Sequence, residues 1–296
     1  MDALSELGSF LKSRRAAVRP EDAGITPHPG RRRVTGLRRE ELAMLAGVSI
    51  THYTRLEQGR GNGASDAVLE AIARTLRLSE DETAHLKSLA RPAHASRRAP
   101  AHAPRAGASA RQLLTAMTEV PALVLDRRGD VLAWNRLGHA LLAGHLPPES
   151  PAGPATTGPN LTRMLFLDER YRELYPRWRE EAQLAVASLR LLAGRHPEDR
   201  RLTELVGRLT VQSDEFAALW ARHPVRTCTS GVKELRHPLV GSLELSFENL
   251  LLPGTAGQRL IAYTAEPGSP SDAALRLLGS VTAPVADPAK PRSRNT

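Results

Sequence analysis

Ser49, Ile50, Thr51, His52 and Arg55 crowd the stretch "GVSITHYTRLEQGR", directly after "REELAMLA", a run with helical apolar spacing. Hydroxyls, an imidazole and a guanidinium on one side of a short helix make a face rich in hydrogen-bond donors. Arginine matches the O6/N7 pair of guanine, and the threonine methyl packs on that of thymine. Gln58 and Arg60 extend this face, and Arg38 and Arg39 precede the first run. Such groups take phosphate oxygens, helped by the positive end of a helix that starts near Arg39. The set is suited to reading a duplex and holds no acid, base or nucleophile arranged for catalysis.

Positioning that face requires two helices crossing at a steep angle through a tight turn, the helix-turn-helix arrangement. Leu42, Ala43 and Leu45 supply an apolar face, and small Ala43 and Ala46 permit close approach. Gly47 can take a positive φ at the turn. Val48 can plug the core beneath it, Ser49 can cap the second helix, and Tyr53 with Leu56 can bury its inner side. Around this unit, residues 2 to 18 read as an amphipathic helix with Leu4, Leu7, Phe10 and Leu11 on one face. A Pro/Gly loop carrying Arg31, Arg32 and Arg33 follows. Ser65 opens a helix with Leu69, Ile72 and Leu76 inward, and Ser79 with Glu82 has capping-box spacing ahead of Leu86 and Leu89. The reading is five short helices over residues 1 to 90.

The chain has 296 residues, length for two ordinary domains, and its formal charge of +9 favours anionic partners. Cys228 is the single cysteine, which excludes an internal disulfide and a cysteine-based metal cluster. Asp2 and Glu6 interrupt the start, where a signal peptide would need a sustained apolar region. No run nears the roughly 18 apolar residues of a membrane span. A cytoplasmic protein without membrane contact is expected.

Residues 91 to 108, rich in Pro, Ala and Arg, read as a basic linker. From 109 to 278 the pattern becomes α+β. "PALVLD" and "DVLAWN" flank Arg127-Arg128-Gly129 as a hairpin, and Asn135 can cap a short helix. Helices run from Asn160 to His223 with a stripe of Trp178, Ala182, Ala185, Val186, Leu189 and Leu192. "SGVKELRHP", "SLELSFENLLL" and "RLIAYTAE" read as a three-stranded meander, in which Leu243, Leu245 and Phe247 alternate with polar residues. A short helix over 271 to 278 precedes a basic, Pro-rich tail from 279 to 296 that is expected to be disordered. The fold class is therefore an all-helical unit joined to an α+β unit.

Leu125, Trp134, Phe166, Tyr171, Trp178, Trp220, Phe247 and Tyr263 concentrate large apolar side chains in the second unit, as a ligand pocket does. A filled core is the alternative for each of them. His139, His145, His196, His223 and His237 do not pair with one another or with cysteine at ligand spacing, so no metal is expected. No nucleophile elbow, phosphate loop or dinucleotide fingerprint occurs, so neither cofactor nor enzymatic activity is expected.

"EELAMLAGVS" followed by "LEQG" resembles the helix-turn-helix of the phage-repressor-like (xenobiotic response element) regulators, with Arg39 where that family often carries a glutamine. "GLRREELAMLAGVSITHYTRLEQGR", "PALVLDRRGDVLAWN" and "HPLVGSLELSFENL" together resemble the actinobacterial MmyB-like regulators, over the chain to about residue 266. That resemblance implies a DNA-binding domain joined to a PAS-like domain whose sheet covers an apolar pocket for fatty-acid-like molecules. A homodimer on double-stranded DNA is expected, with two recognition helices on half-sites about one helical turn apart. Two other roles for the second unit stay open at this level: a ligand-free interaction or dimerisation module and, remotely, a small-molecule enzyme.

Overall fold

The computed structural model describes residues 3–25, 34–60, 64–90, 105–152, 158–225 and 230–282. Arg31, Arg32, Arg33, Cys228, most of the linker and nearly all of the tail lie outside these residues.

The described residues of the N-terminal unit form five α-helices: α1 (Ala3–Ala17), α2 (Arg39–Ala46), α3 (Ile50–Glu57), α4 (Asp66–Thr75) and α5 (Glu80–Ala90). Ser65 accepts the Val68 N–H at 3.3 Å, and Ser79 with Glu82 closes its box through reciprocal bonds of 3.2 and 2.8 Å. One core joins all five helices through Leu7, Phe10, Leu42, Tyr53, Leu69, Ile72 and Leu86. Leu45, read as part of the inward face of α2, is 40% exposed. Leu42 and Ala43 fill the space against α4 and leave it on the flank.

A helix the sequence reading did not identify, α6 (Ala108–Ala116), leads into the second unit. Its segment is dominated by Ala, Arg and polar residues, and only Leu114 is fully buried. Then come β1 (Ala122–Leu125), β2 (Val131–Trp134) and α7 (Arg136–Ala143). Gly129 turns the hairpin at φ 87°, while the Asp126 carboxylate accepts the N–H groups of Arg128 and Asp130 at 2.8 and 2.9 Å. Asn135 caps α7 as expected, taking the Gly138 N–H at 2.7 Å.

The helical insert comprises α8 (Leu161–Leu167), α9 (Glu169–Glu173), α10 (Trp178–Arg195), α11 (Arg200–Gln212) and α12 (Asp214–Ala221). The chain returns through β3 (Ser230–His237), β4 (Gly241–Leu251) and β5 (Arg259–Thr264), and α13 (Pro270–Val281) closes it, capped by Ser269. The five strands form one antiparallel sheet in the order β2-β1-β5-β4-β3. β5 therefore lies between β1 and β4, with Leu123 beside Ile261 and Phe247 beside Tyr263. The side-chain period of two separates its faces. Leu123, Leu125, Leu245, Phe247 and Ile261 meet the helices, whereas Val124 and Leu260 meet Leu114 of α6.

The two units touch along α10. Arg190, 1% exposed, donates to the Glu6 carboxylate of α1 at 2.7 Å and to the Trp220 carbonyl, with its guanidinium 3.8 Å from the Trp220 ring centre. Ser88 of α5 donates to the Gly194 carbonyl at 3.2 Å. Among the described residues no helix is long and apolar enough to cross a membrane.

Candidate nucleic-acid interface and ligand cavity

The turn between α2 and α3 is built by local chemistry. Gly47 ends α2 at φ 66°, and the Val48 N–H returns to the Ala43 carbonyl at 3.0 Å. Ser49 then starts α3 by accepting the His52 N–H at 3.1 Å. Tyr53 and Leu56 are both fully buried, so the opposite side of α3 faces outward.

Behind that helix stands a group the sequence reading missed. Glu57, the acid of "LEQG", receives Arg15 at 3.0 and 2.8 Å and Arg39 at 3.1 and 2.9 Å. Arg15 also donates to the Leu37 carbonyl at 2.7 Å, tying α1, the following loop, α2 and α3 together. Burial pushes the Glu57 carboxyl up, but the hydrogen bonds from Arg15 and Arg39 outweigh it and hold the group below its ordinary range. It stays ionised and fixes the rear of α3.

Of the residues expected at DNA, Ser49, Ile50, Thr51, Arg55, Gln58 and Arg60 are exposed, and Arg38 is exposed ahead of α2. Arg39 is exposed but held by Glu57. His52 is half-buried, and its Nε2 is out of solvent without a hydrogen-bond partner among the described residues.

In the second unit a cavity of about 380 Å³ lies between the sheet and helices α8 to α10. Leu125, Ile261 and Phe247 line it from the sheet, and Leu161, Leu165, Leu184, Ala185 and Leu189 from the helices. This volume falls within the range of small-molecule sites. Arg127, Arg128, Arg195 and Arg259 stand at one end of the lining, and Tyr171, Tyr175 and the Lys233–Glu181 ion pair at the other. Arg127 and Arg128 are held by Asp199 at 2.7 and 3.1 Å. Arg195 is exposed and makes no ion pair among the described residues.

Leu125, Tyr171, Phe247 and Tyr263 of the expected pocket residues line this cavity. Phe166, Trp178 and Trp220 lie outside the lining, in a chain of aromatic contacts: Phe166 meets Trp178 at 5.6 Å and Phe216 at 5.1 Å, and Phe216 stacks on Trp220 at 5.6 Å. Trp134 donates to the Pro148 carbonyl at 2.7 Å and lines a separate cleft beside α6. Tyr175, Lys233 and the arginines were not singled out from sequence. Arg127 and Arg128 appeared there only as turn residues.

Residues 106–278 match the MmyB-like transcription regulator ligand binding domain. The chain belongs to the MmyB-like transcription regulators. Residues 6–86 match a helix-turn-helix domain, which covers the interface on α2 and α3. This MmyB-like regulator is thus a DNA-binding transcription regulator with a ligand-binding domain, and its family is not one of enzymes. No curated protein matches the chain significantly.

Proposed function

We propose that the chain is a sequence-specific, homodimeric regulator acting in the cytoplasm, and that its sensor cavity takes a fatty-acid-like amphipath. The observation that carries the ligand class is the cavity, with an apolar middle and arginines at one end. An acyl chain would lie along Leu161, Leu165, Leu184 and Ile261. Its carboxylate would meet Arg195, an exposed cation there that no described acid neutralises.

On the DNA side, α3 enters the major groove. Arg55 and Thr51 contact base edges, Ser49, Ile50, His52 and Gln58 contribute beside them, and Arg38, Arg39 and Arg60 take phosphates. Two subunits present two such helices to half-sites roughly 34 to 36 Å apart. A ligand alters DNA binding only through a difference in its affinity for the two arrangements of the domains. Helix α10 is placed to carry that difference. Its Leu184, Ala185 and Ser188 line the cavity, while its Arg190 and Gly194 contact α1 and α5.

Selection from a random duplex library by the full chain tests the DNA reading. Enrichment of a two-fold motif with half-sites about one helical turn apart is expected. Recovery of unenriched sequence would contradict it.

A further inference from the structure

The cavity has two polar ends. Along β5, Arg259 and Tyr263 lie on the same face, four residues apart, which at the strand rise is about 13 Å. Along α10, Glu181 and Arg195 belong to the same two ends and are about 21 Å apart at the helix rise. The far end from the arginines is therefore a separate chemical environment.

That end is built from hydroxyls. The Tyr171 and Tyr175 oxygens lie 2.9 Å apart, and the two residues are 2% and 6% exposed. Two phenols hold two protons, and one mutual bond uses one of them. Among the described residues the second proton meets no acceptor, and a buried donor without a partner is costly. Both residues line the cavity, so an oxygen on a bound molecule can supply the acceptor.

Charge selects the kind of oxygen. Lys233 lies 5.8 Å from the Tyr175 ring centre and 5.0 Å from that of Phe247, but Glu181 neutralises it. The tyrosine end carries no surplus positive charge for a second anion. Burial also raises the pKa of both phenols, which keeps them as neutral hydroxyls.

We propose that the ligand of this cavity is bifunctional, with an acidic head at the arginine end and a neutral oxygen, a hydroxyl or carbonyl, at the opposite end beside Tyr171 and Tyr175. This rests on the reading of the cavity as the ligand site and adds the feature that discriminates among acyl ligands. A bare acyl chain leaves the tyrosine proton unpaired, whereas a chain oxidised near its tail satisfies it.

The test is titration calorimetry of the full chain with dodecanoic acid, 12-hydroxydodecanoic acid and dodecanedioic acid. The hydroxy acid is expected to bind about tenfold more tightly than dodecanoic acid. Replacing both phenols, Tyr171→Phe together with Tyr175→Phe, should remove that preference, so that the two acids bind the double variant alike, whereas either single variant keeps one phenol proton and most of the preference. Equal binding of the first two acids to the unmodified chain would overturn the tyrosine-end proposal and leave the acidic-head reading standing. Preference for the diacid would overturn the neutral-oxygen assignment. No binding of any acid would overturn the cavity reading and this proposal with it.

Discussion

Gly194, at the end of α10, sits so close to His85 of α5 that a Cβ there would lie 2.5 Å from the imidazole Cε1 and 2.7 Å from Nδ1. The sensor helix and the DNA-binding unit are thus fitted to one another at backbone range. His85 is 1% exposed and packs edge-on against Phe10 at 5.1 Å. The contact sits one turn beyond Arg190, the buried cation that reaches Glu6. Burial lowers the Arg190 pKa to about 10, and the opposing effect of Glu6 only partly offsets this.

Gly194→Ala should therefore push the units apart. Overpacking of this kind costs about 1 to 3 kcal/mol. The expected result is a lower unfolding temperature and faster proteolysis between the units. Unchanged stability and cleavage would show that this contact is not maintained in solution.

Protonation should loosen the same junction. Burial, with Arg190 next, lowers the His85 pKa from 6.5 to about 3, and burial lowers that of His223 from 6.5 to about 4. Both are neutral when folded and charge more readily when unfolded. Their contribution is full above pH 6.5 and is lost as pH falls from there towards 4 and 3. Urea unfolding at a series of pH values should show this acid loss, and His85→Leu should flatten it. An identical pH profile in the variant would contradict the assignment.

Within the DNA-binding unit, Glu57→Gln leaves Arg15 buried without its counter-charge. Removing one partner of such a pair costs about 3 to 5 kcal/mol. Chemical denaturation should show a loss of that order, and a loss below about 1 kcal/mol would mean that solvent screens the pair as it does surface ion pairs.

Arg55→Ala should weaken specific DNA binding by about 1 to 3 kcal/mol and relax base preference, whereas Arg38→Ala should weaken all sequences alike and reduce the salt slope by about one. Fluorescence anisotropy against selected and scrambled duplexes separates the two. Unchanged discrimination in Arg55→Ala would remove its base-reading role.

What could be read from sequence was what depends on near neighbours. The Gly47 turn, the Ser49 and Asn135 caps and the alternation through Leu243, Leu245 and Phe247 each rest on residues a few positions apart. Glu57 was hidden because its partner Arg15 is 42 positions away. The cavity was only half legible for a related reason. Aromatic identity marks burial but not which side of a helix meets the space, so Tyr171 lines it while Trp178 packs on Phe166. Tyr175, close by in the chain, carries the polar end and gave no periodic signal.

The central claim is that this regulator holds an amphipathic small molecule in its sensor cavity. The most direct measurement is the native mass of the full chain, purified from its own host, against its denatured mass. A reproducible excess that is lost on denaturation, and displaced by 12-hydroxydodecanoic acid, is the predicted result. Identical masses, with no stabilisation of the chain by acyl acids, would contradict the account.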